Sequence, residues 1–277
     1  MRLKAFDNPE ALFQELKKKE RKILKEGTII AIIVCLIVCI VHSIMGWLFV
    51  QAILICVIVI FASILISTFY SSIISKQYKI RIIDKLIHRF ELGMIYHDSL
   101  ENDEVIGKIF RIPSKIKTHI EDHLEWEKDG LKFEMENVYI GRQLDDDSIY
   151  TGHIVKIPMN FDKSLIVKKR SDKYMRVYSS KLAVCEENHE FLKSHEMLSD
   201  FKIDIFFINE VENLVKKYHN EISLVFRDKM CYVINLNKSL LFSTLGESSI
   251  KIMEDIIYED LRLIEDILNL SFNKKVL

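Results

Sequence analysis

The chain has 277 residues, with 39 Lys and Arg against 40 Asp and Glu and a formal net charge of −1. That balance gives no whole-chain attraction to nucleic acid, and eight Gly with three Pro are too few for a linker-rich or low-complexity chain. Five Cys without regular spacing exclude an oxidised extracellular scaffold and any Cys-based metal or redox motif.

Asn8-Pro9-Glu10 predicts a helix start: Asn as N-cap, Pro at the first helical position, an acid in the first turn. The arm that follows is basic, with Lys17, Lys18, Lys19, Arg21 and Lys22, and Gly27 is expected to loosen it. From Gly27 to Ser75 there is no Asp, Glu, Lys or Arg. Two apolar segments lie inside that stretch, Thr28–Met45 and Leu48–Tyr70, separated by Gly46 and Trp47. About 20 helical residues, rising about 1.5 Å each, cross a hydrocarbon core of roughly 30 Å. The pair therefore reads as a transmembrane hairpin. Lys76, Lys79 and Arg81 follow it, whereas the turn around Gly46 carries no Lys or Arg. The positive-inside rule then puts both termini in the cytoplasm of a bacterial cell, with a multi-pass anchor in the inner membrane. Those flanking basic residues are the expected contacts with the anionic membrane surface. No charged side chain sits at mid-depth, so the spans alone offer no proton relay or substrate path.

Beyond the membrane, Ile82, Ile83, Leu86, Ile87 and Phe90 recur at helical spacing, and a helix is expected over Ser75–Glu91. From Ile120 the pattern turns to alternation. His123–Glu127 and Leu131–Met135 flank Lys128-Asp129-Gly130 as a hairpin, with Val138–Ile140 extending the second strand. Ile149–Ile157 and Leu165–Val167 are further strands. Phe201–Phe206 alternates like another, Asn209 is the expected cap of a helix bearing Val211, Leu214 and Val215, and Ile222–Phe226 with Met230–Ile234 form a second hairpin. A last helix over Ser248–Leu270 is expected to turn Ile252, Ile256, Ile257, Leu261, Ile264 and Leu268 inward. The fold class is α+β: an N-terminal transmembrane helical hairpin, then a soluble domain of antiparallel sheet with packed helices. The divisions are a basic juxtamembrane helix (1–26), a two-span hairpin (27–71), a connecting helix (72–98) and a cytoplasmic α+β domain (99–277).

The order of these parts resembles a family of bacterial membrane proteins catalogued as domain of unknown function 3137. The likeness rests on the paired spans, the helix ending near Met94-Ile95-Tyr96, Gly152-His153-Ile154 with Pro158-Met159-Asn160-Phe161-Asp162, Glu190-Phe191 before Phe201-Lys202-Ile203, and Ile222–Phe226 with Cys231–Ile234. The resemblance transfers no catalytic residue. It implies a LemA-like membrane protein as a partner.

No Gly-rich phosphate loop, Walker lysine, G-x-S-x-G elbow or C-x-x-C is present, and no cofactor is expected. His119-Ile120-Glu121-Asp122-His123 approaches the H-x-x-E-H metalloprotease pattern, in which two histidines four apart share a helical face. Asp145-Asp146-Asp147 has no EF-hand spacing and reads as a solvated loop. Lys168-Lys169-Arg170 with Lys173, Tyr174 and Arg176 is basic and aromatic-interleaved; in a tethered domain it suits lipid better than RNA, and an ordinary polar loop better than either. Three functions remain open. The first is an inner-membrane protein presenting a cytoplasmic interaction or scaffold domain to other membrane proteins. The second is a membrane-anchored metal-dependent hydrolase using His119 and His123, and the third a subunit of a homo-oligomeric channel.

Overall fold

The computed structural model describes residues 9–45, 49–100, 116–142, 148–171, 182–235 and 250–270. They form two compact units that divide between Leu86 and Ile87.

The first unit consists of two helices, α1 (Pro9–Met45) and α2 (Phe49–Ile87), with 37 and 39 residues. Both are long and apolar enough to cross a membrane. Their large side chains point outward, with Ile44 78% and Phe69 65% exposed, as lipid-facing residues require and a soluble core forbids. Three hydroxyls within the apolar segments are satisfied by the carbonyl one turn back: Thr28 donates to Leu24 at 2.8 Å, Ser43 to Cys39 at 3.0 Å and Thr68 to Ile64 at 2.8 Å. The helices run antiparallel, since contacts retreat along α2 as they advance along α1. Glu15 meets Tyr78, Gly27 meets Ser67, and Cys35 meets Cys56. Gly27 does not loosen α1, which passes through it unbroken. A Cβ there would stand 2.2 Å from Ser67 Oγ, so the glycine serves close helix approach instead.

The second unit carries strands β1 (Ile95–Leu100), β2 (Ile116–Lys128), β3 (Leu131–Arg142), β4 (Ser148–Pro158), β5 (Leu165–Lys169), β6 (Ala183–Val184), β7 (His195–Ser199), β8 (Ile222–Arg227) and β9 (Met230–Asn235). Its described helices are α3 (Phe191–Ser194), α4 (Ile205–Lys217) and α5 (Ile250–Leu268). The strands form one antiparallel sheet in the order β1-β2-β3-β4-β9-β8-β5-β7-β6. Tight turns set its registers: Asp129 and Gly130 between β2 and β3, and Asp228 and Lys229 between β8 and β9, all have positive φ. Helices α4 and α5 bury Val211, Leu214 and Val215, and Met253, Ile257, Ile264 and Ile267. Lys217 and Tyr218, at the end of α4, both reach Asp266 on α5 at 2.6 Å.

Three sequence expectations are corrected. Residues 95–98 belong to a strand and not to the connecting helix, which ends at Ile87; Glu91 and Gly93, both at positive φ, break the helical path before Ile95 pairs with Glu125. Phe201–Phe206 is not a strand. Asp204 caps α4 by accepting from Phe207 N at 2.8 Å, so the helix starts before Asn209, and β7 occupies the sheet position instead. On α5 the inward stripe runs through Met253, Ile257, Asp260, Ile264 and Ile267, leaving Ile252 48% exposed. A polar residue at a core position had shifted the apparent face.

Candidate functional site

The polar chemistry of the second unit is organised by a bulge in β2. Glu121 pairs with Asn137 and Leu124 with Met135, so Asp122 and His123 stand against the single residue Glu136. Asp122 takes a positive φ of 52°. The extra residue keeps Asp122 on the same side as Glu121 and Asn137, and alternation then resumes with His123 on the opposite face, beside Glu136.

On the helix-covered face, Asp122 accepts from Tyr96 Oη at 2.6 Å and from Asn137 Nδ2 at 3.0 Å. Burial and the Asp122 charge push the Tyr96 hydroxyl far above its ordinary pKa, so it remains a donor. With its amide nitrogen committed to Asp122, Asn137 turns Oδ1 toward His153 Nδ1 at 3.4 Å, which makes Nδ1 the protonated nitrogen. His153 Nε2 then lies 2.9 Å from Asp260 Oδ2 on α5, a close ionic contact short of an aligned hydrogen bond. Asp122, Asn137, His153 and Asp260 are all at most 1% exposed. The pair opens onto a cavity of about 130 Å³ between sheet and helices, lined also by Tyr218, Glu221, Asn235 and Glu259.

On the other face the residues are mostly charged. Glu125 and Glu134 are direct cross-strand partners, and Lys156 is the next partner of Glu134. Lys132 Nζ bridges Glu125 Oε2 at 2.7 Å and Glu134 Oε1 at 3.2 Å, while Lys156 Nζ bridges Glu134 Oε2 at 3.1 Å and Glu136 Oε2 at 3.0 Å. Lys132 holds the Glu125 carboxyl down to about 2. Burial pushes Glu134 upward, but Lys156 and Lys132 together bring it below its ordinary value. His123, with a side chain 3% exposed, places Nδ1 3.4 Å from Glu136 and Nε2 3.5 Å from Glu125. His97 Nε2 lies 3.5 Å from Glu125 Oε1.

The proposed pairing of His119 with His123 does not survive. Both lie on β2, where four residues span about 13 Å rather than one helical turn. The bulge puts them on opposite faces, and His119, with a side chain 57% exposed, contacts Glu121 at 3.0 Å. The membrane-surface candidates do come together. Antiparallel pairing of α1 and α2 brings Lys17, Lys18, Lys19, Arg21 and Lys22 to the same end of the hairpin as Lys76, Lys79 and Arg81. Lys17, Lys19 and Lys22 pair locally with Glu20, Glu15 and Glu26, and Lys19 also donates to Tyr78. Asp145-Asp146-Asp147, Lys173, Tyr174 and Arg176 lie outside the described residues, and Lys168 pairs with Glu196 at 3.2 Å.

Sequence reasoning missed Asp122, Asn137, His153 and Asp260. A signal existed for Asp260: it stands where the apolar stripe of α5 calls for a hydrophobic side chain.

Fold and site together define an α+β protein that joins two helices suited to a bilayer to an antiparallel sheet domain with buried polar networks. No family model and no curated protein matches the chain. A crystal structure of the mycobacterial trehalose monomycolate transport factor A, TtfA, overlays on 65% of this chain and 90% of its own, with 9% identity and a TM-score of 0.38.

Proposed function

We propose that the protein is a multi-pass bacterial inner-membrane protein, with both termini cytoplasmic, whose α+β domain serves as an interaction or scaffold domain for other membrane proteins. One observation carries this reading. The outward faces of α1 and α2 are apolar over a membrane-spanning length, and the basic residues of both flanks gather at one end of the antiparallel pair. Basic residues held at one end keep that end on the cytoplasmic side. The family resemblance adds a LemA-like protein as the first partner to test. Loss of the shared His119–His123 geometry removes the support for the hydrolase alternative.

The test is a reporter fused after Leu277, combined with alkaline extraction of membranes. Cytoplasmic reporter activity in a fraction released only by detergent is the expected result. Periplasmic activity, or release by alkali alone, refutes the topology. Cross-linking in native membranes, followed by identification of the attached proteins, tests the scaffold role. Recovery of the chain without any membrane-protein partner refutes it.

A further inference from the structure

We propose that the charged face of β1–β3 holds a divalent transition-metal ion, Zn²⁺ in the first instance, on His123 Nε2, Glu125 Oε2 and Glu134 Oε1. The ligand atoms of His123, Glu125 and Glu134 all lie within 4.8 Å of one another. Donors about 2.1 Å from a tetrahedral ion stand roughly 3.4 Å apart. His123 Nε2 lies 3.5 Å from Glu125 Oε2. The set of one imidazole and two carboxylates is borderline in softness and suits zinc or manganese better than calcium.

Three further features point to a cation. Like charges placed directly opposite on neighbouring strands are destabilising, yet Glu125 and Glu134 are cross-strand partners, so something positive must sit between them. In the metal-free protein that position belongs to the Lys132 ammonium, which touches the same two oxygens, Glu125 Oε2 and Glu134 Oε1. Its side chain is 58% exposed and can swing into solvent when a stronger cation arrives. Lys156 stays behind on Glu134 Oε2 and Glu136, leaving Glu134 Oε1 for the metal.

The third feature is the support behind His123. Its Nδ1 is buried without a hydrogen-bond partner and faces Glu136, itself wholly buried, at 3.4 Å. Metal-ligating histidines generally give their second ring nitrogen to a carboxylate, which fixes the ring and raises its basicity. Glu136 is a positioning residue of that kind. Across the site, Glu125, Glu134 and Glu136 face the ammonium groups of Lys132 and Lys156, so a divalent ion that displaces one ammonium balances the three carboxylates.

The experiment is equilibrium dialysis of the full chain in detergent micelles against Zn²⁺, with metal analysis and circular dichroism on each sample. One Zn²⁺ per chain is expected, and it should be lost in His123→Ala and in Glu134→Gln. Glu136→Gln should weaken binding by about 10–100-fold. Lys132→Met should tighten binding by removing the competitor, read on samples whose circular dichroism matches the parent's, and His119→Ala should change nothing. Substoichiometric uptake by the parent, uptake indifferent to His123 and Glu134, or a Lys132→Met protein that binds no more tightly overturns the proposal.

Discussion

Replacing Asp122 by Ala tests whether the bulge is held by its polar network. Asp122 is wholly buried and accepts from Tyr96 at 2.6 Å and from Asn137 at 3.0 Å. Hydrogen bonds to a charged acceptor contribute about 1.5–3 kcal/mol each. Alanine must also adopt the φ of 52° that Asp tolerates better, at a further cost of about 1 kcal/mol. Part of the sum is returned as the neighbours relax, so the expected loss is about 3–5 kcal/mol, or roughly 6–20 °C in melting temperature for a domain of this size. Asp122→Gly removes the same hydrogen bonds but accepts the backbone conformation, and should be the milder change. Near-UV circular dichroism of the detergent-solubilised protein reports on the sheet domain, whose aromatic residues include Trp126 and Phe133 stacked at 5.4 Å. A loss below about 1 kcal/mol for Asp122→Ala, or a glycine variant less stable than the alanine one, would refute the reasoning.

Two other predictions concern charge and packing. Glu125 has a folded-state carboxyl near 2, against an ordinary 4.5, because Lys132 bonds it. Its stabilising contribution is therefore complete above pH about 4.5 and is lost as pH falls toward about 2; Lys132→Gln should flatten that part of a stability–pH curve, and an unchanged slope would contradict the assignment. In the hairpin, Gly27→Leu places a side chain beyond a Cβ position already 2.2 Å from Ser67 Oγ and 3.5 Å from Ser67 Cβ, with an overpacking cost of about 1–3 kcal/mol. The melting temperature in detergent should fall, and adding Ser67→Gly should restore it; failure of that rescue would show that the helices do not meet there.

Much of this architecture was legible because the relevant signals are local. A charge-free stretch long enough for two spans needs no tertiary information, nor does Asp129-Gly130 between two alternating segments. The expected strand at Phe201–Phe206 failed because alternation competes with capping. Once Asp204 accepts from Phe207 N, the next residues are helical, and Ile205 and Phe206 remain exposed at 56% and 64%.

The bulge is a subtler case. In an uninterrupted strand His119 and His123 would share a face, since their spacing is even; one extra residue reverses that parity, and no periodicity in the sequence announces it. The same reversal hid both polar networks. Read as plain alternation, Glu121, His123, Glu125 and Glu127 form the solvated edge of a half-buried strand. In the fold, His123 is turned inward against Glu136 while Asp122 crosses to the helix side and joins Tyr96, Asn137, His153 and Asp260. One bulge thus gives the sheet two separate buried polar systems, one ending at a cavity and one at a cluster of metal-type ligands. Local pattern and global fold disagree at this point of the chain, and such disagreements concentrate where a protein trades regularity for function.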